Sequence, residues 1–172
     1  MRIGIDISQL AYPKTGVANY LRNLVTELIK KDTKNEYILF YSSLRRKLED
    51  TFDSKNVTVK QFKFPPSLLT VLWNKLHILP IEWLIGPIDI FISSDWTQPP
   101  TSAKKMTILY DLIVYKYPKE TSQKIIDVQK RKLHWVKKEV DKILCISNAT
   151  KKDAEEILHI PENRLEVIYP GL

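Results

Sequence analysis

Apolar and polar positions alternate at the start of the chain, and the period of the alternation changes within the first thirty residues. Residues 2–8 carry isoleucine at every second position, which is the period of a β-strand. Residues 17–31 carry apolar side chains at every third or fourth position, which predicts a helix with one apolar face. Residues 37–41 are continuously apolar, as in a strand that is covered on both faces. The chain therefore begins with the order strand, helix, strand.

The same order continues along the rest of the chain. Strands are predicted over 57–62, 88–92, 106–112, 142–146 and 165–169, and helices over 68–79, 121–140 and 148–158. Residues 43–53 are charged and are expected to form a short helix or an exposed loop. Repeated strand–helix–strand units imply parallel pairing with right-handed crossovers. We therefore predict a Rossmann-like fold: a three-layer α/β structure with a doubly wound, mostly parallel sheet.

Composition narrows the class of protein without fixing its function. With 172 residues, of which 44% are hydrophobic and 27% charged, the chain has the profile of a single globular domain. Cys145 is the only cysteine, which excludes an internal disulfide and a zinc cluster built on thiolates. The net charge of +7 permits attraction to the phosphate groups of nucleic acid, an anionic lipid or a nucleotide sugar, and a basic surface that is only solvated is the alternative.

One apolar stretch, residues 67–94, could be read as crossing a membrane. Lys75, His77, Glu82 and Asp89 interrupt it, and a charge near the centre of a bilayer costs about 3 kcal/mol. We interpret it as a buried helix followed by a buried strand. No long apolar segment follows Met1, so we expect a cytoplasmic protein, with peripheral contact at the inner membrane face as an open alternative.

Candidate chemistry lies in the loops that follow the strands, because ligands of open parallel sheets bind at the carboxyl ends of the strands. The residues in these loops are Gly16 after the first strand, Asp95 and Trp96 after the fourth, Tyr110 and Asp111 at the end of the fifth, and Ser147 and Asn148 after the sixth. Gly16 could admit an anion at a helix N-terminus or could serve as a cap. Asp111 could hold a sugar hydroxyl or cap a loop, whereas capping alone explains Ser147.

Several classes of site lack their sequence signatures. The chain has no G-x-G-x-x-G, Walker A or G-x-S-x-G motif, which argues against NAD, FAD and a serine nucleophile. Its three histidines are spread along the chain, on or directly after three different predicted helices, so we expect no metal site. The basic residues Lys130, Arg131, Lys132, Lys137 and Lys138 are interpreted as an exposed helix face. No aromatic residues on a strand accompany them, and we expect no nucleic-acid partner. Three of the four tryptophans are interpreted as mostly core, whereas an exposed Trp96 could stack on a sugar ring.

Five segments form an ordered pattern: MRIGIDIS, KTGVANYLRNLV, MTILYDLIVYKYPKE, KILCISNATKKDAEEIL and LEVIYPGL. This pattern resembles the N-terminal domain of glycosyltransferase family 4, which comprises retaining enzymes of the GT-B architecture. The resemblance implies that residues 1–172 form the acceptor-binding domain. A second domain, which holds the nucleotide-sugar donor and an E-x7-E motif, is expected to lie outside this chain.

The resemblance also implies roles for single residues. Gly16 matches the glycine whose backbone closes against the donor phosphates, while Ser147 and Thr150 match a largely structural turn. Tyr110 and Asp111 stand where many members have His-Asp, the histidine contacting the transferred sugar. Tyr110 departs from that pattern, although its hydroxyl can donate a hydrogen bond. The resemblance implies no metal, since positive side chains and helix dipoles stabilise the leaving phosphate.

We thus expect half of a glycosyltransferase that transfers a sugar from a nucleotide sugar to a glycan or glycolipid, serving cell-surface polysaccharide synthesis. The fragment alone is expected to be inactive. One alternative is a non-catalytic α/β module that pairs with a separate donor-binding chain. Another is half of a nucleotide-sugar epimerase with the same architecture.

Overall fold

The computed structural model describes residues 1–170; Gly171 and Leu172, which end the last of the five segments, lie outside the described residues. Seven strands form one sheet in the order β3-β2-β1-β4-β5-β6-β7, and all neighbouring strands are parallel. The strands are β1 (Arg2–Asp6), β2 (Glu36–Ser42), β3 (Val57–Phe62), β4 (Ile90–Ser93), β5 (Lys104–Leu109), β6 (Lys142–Cys145) and β7 (Leu165–Val167). The prediction of a doubly wound parallel sheet is confirmed.

Helices connect the strands on both faces of the sheet. They are α1 (Gly16–Lys31), α2 (Pro66–Leu69), α3 (Glu82–Ile85), α4 (Ile113–Lys116), α5 (Gln123–Glu139) and α6 (Asn148–Leu158). Short 3₁₀ helices span Ser8–Ala11, Pro118–Glu120 and Glu162–Arg164. Within residues 1–170, no helix has both the length and the apolar character that crossing a membrane requires.

The continuous apolar run of β2 reflects two separate cores, one on each face of the sheet. Leu39 packs with Leu21 and Val25 of α1, whereas its neighbour Phe40 packs with Trp73 on the opposite face. All five side chains are completely buried. Successive strand residues point to opposite faces, so a strand covered on both sides must be apolar at every position.

The first core is held by α1, which forms as its apolar stripe predicts. Thr15 caps the helix, its hydroxyl oxygen accepting a hydrogen bond from the Ala18 N–H at 3.2 Å. Lys30 and Lys31 lie in the last turn, where positive charge interacts favourably with the helix dipole. The helix begins at Gly16, one residue earlier than the pattern predicts.

Strand ends differ from the predictions where polar side chains follow the strand. β1 ends at Asp6, two residues early, because Ser8–Ala11 turns into a 3₁₀ helix. β4 runs to Ser93, which the sequence places in the loop. β5 covers Lys104–Leu109, so Tyr110 and Asp111 both lie beyond its end rather than on it.

The helix predicted over 68–79 is wrong in its second half. After α2 the chain continues as a π-helix over Thr70–Lys75, and His77 and Leu79 adopt positive φ angles of 52° and 68°. Left-handed backbone stops a right-handed helix. The wider turns place Asn74 and Trp73 in the interior, where the Trp73 Nε1–H donates to the Leu79 carbonyl at 3.0 Å.

Residues 43–53 form no helix, and the segment is not fully exposed. Leu48 and Phe52 are half-buried against the α1 core, and Asp50 forms an ion pair with Arg22 of α1. The alternative of a helix is therefore wrong, whereas that of an exposed loop holds for most of the segment, and its partly buried residues attach it to α1.

The strand order places a topological switch between β1 and β4. From β1 the chain adds β2 and β3 on one side, then crosses to add β4 to β7 on the other. Ligands of doubly wound sheets bind outside the carboxyl ends of the two strands at such a switch. In this chain that position lies beyond Asp6 and Ser93.

Candidate functional site

A buried carboxylate ends the central strand. Asp6 is only 5% exposed, and its Oδ1 accepts a hydrogen bond from the Ser8 N–H at 2.9 Å. Burial raises the pKa of Asp6, while the Ser8 hydrogen bonds and the charge of Lys132 act in the opposite direction. Sequence reasoning missed this residue, because a polar side chain in an alternating strand is usually solvated.

The turn after β4 is held from two sides. The Asn74 side chain donates to the Trp96 carbonyl at 2.8 Å and accepts from the Gln98 N–H at 3.0 Å. Ser93 contributes further bonds from within the sheet, its hydroxyl lying 2.7 Å from that of Thr107. The π-helix that buries Asn74 thus fixes the backbone that carries Asp95 and Trp96.

Lys132 lies beneath this turn, which corrects its interpretation as part of an exposed basic face. Its side chain projects from α5, the residue is 1% exposed, and its Nζ donates to the Ser94 carbonyl at 2.6 Å. Burial lowers the pKa of Lys132 to about 8, and the carboxylates of Asp95 and Asp6 partly offset that effect. The other members of the predicted basic face, Lys130, Arg131, Lys137 and Lys138, are exposed.

Two carboxylates stand above Lys132 at the edge of the sheet. Asp95 is half-buried and Asp111 is exposed. Burial raises the pKa of Asp95, with Lys132 lowering it and the like charge of Asp111 raising it. The Gln129 amide donates to Asp95 at 3.3 Å, and Asp111 accepts from the Ile113 N–H at 3.0 Å. The two side chains present acceptor atoms on neighbouring loops.

Tyr110 occupies a different position from Asp111. Its ring packs edge-on against Tyr20 of α1 with a centroid separation of 5.6 Å, and the residue is 6% exposed. Its hydroxyl is buried and forms no hydrogen bond within residues 1–170, and burial raises its pKa well above the ordinary value. Tyr110 therefore lies under the rim, by which we mean the surface formed by the loops after β4, β5 and β6, while Asp111 lies on it.

Ser147 and Asn148 begin α6 at the same edge. The Ser147 hydroxyl oxygen accepts from the Thr150 N–H at 3.1 Å, which makes it the cap of the helix. Thr150 in turn donates to the Tyr110 carbonyl at 3.0 Å. This bond fixes the start of α6 against the loop after β5, and Asn148 is exposed beside it.

Gly16 is exposed as the first residue of α1, but it is not the helix cap. A β-carbon built on Gly16 would meet no atom within 4 Å, and its φ angle is not in the left-handed region. The fold therefore places no demand for glycine at this position. Gly16 joins the other candidates through α1, since Tyr20 lies one turn further along and packs on Tyr110.

The structure brings the predicted residues to one edge of the sheet by different routes. The loop after β5 is linked to the start of α6 by the hydrogen bond of Thr150 and to α1 by the ring of Tyr20, while the charge of Asp111 acts on Asp95 in the loop after β4. The side chain of Trp96 is half-buried there. Their roles as binding or catalytic residues stay predictions. Among residues 1–170, no three His, Cys, Asp or Glu side chains are grouped so that they could hold a metal ion.

Comparison with known proteins identifies the family. The family model described as Glycosyltransferase Family 4 matches residues 14–172, which is nearly the whole chain. No curated protein matches the chain. The match begins beside Gly16 and includes every loop of the edge described above. The seven-stranded parallel sheet fits one half of a GT-B architecture. The chain belongs to glycosyltransferase family 4.

Proposed function

We propose that this chain is the acceptor-binding half of a retaining glycosyltransferase. The enzyme transfers a sugar from a nucleotide sugar to a glycan or glycolipid acceptor in the synthesis of cell-surface polysaccharide. The observation that carries the proposal is the match of residues 14–172 to the glycosyltransferase family 4 model. Asp95, in the turn after β4 at the topological switch, and Asp111, on the loop after the neighbouring strand β5, are the carboxylates that this site would offer to an acceptor. Ionised carboxylates accept hydrogen bonds from hydroxyl groups, which are the groups a glycan acceptor presents.

The remaining candidates fit a division of the site into a part for the acceptor and a part for the donor phosphates. Trp96 offers an aromatic face beside the carboxylates, suited to stacking on a sugar ring. Gly16 leaves open space at the first turn of α1, where unpaired N–H groups attract phosphate oxygens of the donor. Tyr110 supports the rim from inside the core. The nucleotide is held by a second domain, in the same polypeptide or in a partner chain.

Transfer of labelled sugar tests this function. The protein is incubated with UDP- and GDP-sugars labelled in the sugar, together with a lipid and glycan extract as acceptor. Residues 1–172 alone should give no transfer, and the donor-binding domain should restore it with the anomeric configuration of the donor. Turnover or tight nucleotide binding by residues 1–172 alone would contradict the proposed division. Interconversion of the sugar without transfer would indicate an epimerase.

Single substitutions locate the acceptor site in the same assay. Asp111→Asn keeps the shape of the side chain but removes its charge, and we expect KM for the acceptor to rise about tenfold, as for the loss of one charged hydrogen bond. Asp53→Asn is the matched control, since Asp53 is exposed in the segment between β2 and β3. Equal KM values for the two variants would remove Asp111 from the site.

We also propose peripheral contact with an anionic membrane. Val71 and Leu76 are adjacent on the π-helical turn, joined by the hydrogen bond from the Leu76 N–H to the Val71 carbonyl at 2.9 Å, and both are exposed. Trp83, expected in the core, is 77% exposed on the following helix, α3. The exposed residue Lys75 lies between Val71 and Leu76 in the sequence. Apolar side chains beside a lysine suit the boundary between headgroups and acyl chains.

A further inference from the structure

The burial of Lys132 is not required by the packing of α5. The other inward positions of this helix, Ile126, Leu133 and Val136, are apolar. Lys132 lies four residues before Val136, so an apolar residue would continue the same stripe. Burying an ammonium group costs several kcal/mol unless partners compensate for the lost water. Packing therefore does not explain why the residue at this position is a lysine.

The partners of Lys132 lie at the ends of β1 and β4, the two strands of the topological switch. Its Nζ donates a hydrogen bond to the backbone carbonyl of Ser94 at 2.6 Å. Ser94 is the first residue of the turn that carries Asp95. Lys132 also interacts with the carboxylates of Asp6, at the end of β1, and Asp95 itself. Lys132 is thus a single buried cation beneath a turn whose next residue is the rim carboxylate.

The charges around Asp95 are otherwise unfavourable to its ionised form. The like charge of Asp111, on the loop after β5, acts against ionisation of Asp95, and so does burial. From α5, Gln129 provides a neutral donor and Lys132 the only cation acting on Asp95 among the described residues. A carboxylate beside a like charge and partly out of water tends to take up a proton, and an opposite charge prevents this.

We propose that Lys132 is a positioning residue of the acceptor site: it supports the turn at Ser94 and keeps the Asp95 carboxylate ionised, so that Asp95 accepts hydrogen bonds from acceptor hydroxyls. The identity of the ligand in this inference rests on the proposed function. The coupling between Lys132 and Asp95 does not. A protonated Asp95 would present a donor as well as an acceptor and would bind hydroxyl groups in a different pattern. Lys132 touches neither substrate in this arrangement.

The coupling is tested without any ligand, by ¹³C NMR of aspartate carboxyl groups in residues 1–172, with Asp95→Asn used to assign the signal. Lys132→Met should raise the titration midpoint of Asp95 by about one to three pH units, the usual effect of losing a nearby opposite charge. Lys132→Gln should do the same while keeping a donor for the Ser94 carbonyl. Lys137→Met, an exposed neighbour on α5, should leave the midpoint unchanged. An unchanged midpoint in either folded Lys132 variant overturns the proposal.

The wild-type protein provides a check that needs no variant at this position. As Lys132 loses its proton above neutral pH, the Asp95 carboxyl signal should show a second inflection, and its absence would also overturn the proposal. In the transfer assay, the acid limb of the pH profile of kcat/KM should shift to higher pH in Lys132→Gln, by the same number of pH units as the titration midpoint of Asp95. A purely structural lysine would lower activity equally at every pH, which contradicts the proposal. Absence of transfer by the wild type in the presence of the donor-binding domain would refute the proposed function and leave the NMR result standing.

Discussion

The hydroxyl of Tyr20 on α1 donates a hydrogen bond to the backbone carbonyl of Ile168, with the two oxygens 3.0 Å apart. The two residues are 148 positions apart in the sequence, and Ile168 follows directly after the edge strand β7. Together with the contact between the rings of Tyr20 and Tyr110, this bond makes α1 a brace across the carboxyl edge of the sheet.

We expect Tyr20→Phe to keep the ring contact and lose the hydrogen bond, lowering the free energy of unfolding by about 1 kcal/mol. Urea unfolding of residues 1–172, followed by circular dichroism, measures the change. Tyr117→Phe is the control, because Tyr117 is an exposed tyrosine on another loop. Equal losses in both variants would show that the Tyr20 hydroxyl does not brace the edge.

Substitutions of Gly16 separate folding from function. Since a β-carbon meets no atom and the φ angle suits any residue, Gly16→Ala should keep or raise stability by up to about 1 kcal/mol. Gly16→Trp should also fold, but we expect transfer to fall at least about tenfold, because the indole fills the space assigned to the donor phosphates.

The control for the bulky substitution is Asn23→Trp, an exposed position two turns further along α1. It should fold and retain transfer. Full activity in Gly16→Trp would exclude Gly16 from the phosphate site, whereas loss of folding would contradict the open space described here.

The stability of the protein should depend on pH through Lys132. Its pKa in the folded state is about 8, below the ordinary value of 10.5, so between these values the unfolded chain holds a proton that the folded chain has released. Stability then rises with pH across this window. Relative to Lys132→Met, the wild type should gain about 2–3 kcal/mol between pH 8 and 10.5.

Urea unfolding of both proteins at several pH values measures that difference, in which the titration of the other lysines and tyrosines cancels. Lys137→Met should follow the wild type throughout. A difference between wild type and Lys132→Met that is flat with pH would mean that Lys132 keeps its ordinary pKa.

Membrane contact is tested by flotation with vesicles of phosphatidylglycerol and phosphatidylcholine at low and physiological salt. Trp83→Ser should reduce binding about tenfold, which corresponds to about 1.4 kcal/mol for withdrawing the indole from the interface. Leu44→Ser, at an exposed leucine in the segment after β2, should have no effect. Binding that is absent, or that is the same for both variants, would contradict the proposal.

The layer arrangement could be predicted from the sequence because burial imposes a regular period. Isoleucines at 3, 5 and 7 alternate as one face of a strand, and residues 37–41 are apolar throughout because two cores meet them. These patterns depend only on neighbours in the sequence. The loops of the candidate site followed from the strand order in the same way.

The charged layer beneath the rim could not be predicted, because it depends on contacts between distant elements. Lys132 is a basic residue like its exposed neighbours on α5, so the residue type does not distinguish it. Its partner Ser94 is 38 positions away in the sequence. Its place four residues before Val136 on the inner stripe was the available signal. The end of the helix near Lys75 depends on positive φ angles at His77 and Leu79, which are uncommon for residues other than glycine.

The strand order also bears on how the chain acquires its shape during synthesis. β2 and β3 find their partners as soon as they leave the ribosome, since β1 and then β2 precede them. β4 pairs with β1, and each of the last three strands pairs with the one made immediately before it. Every strand after β1 therefore meets a strand edge that already exists, so assembly can proceed from the amino terminus without waiting for a later segment.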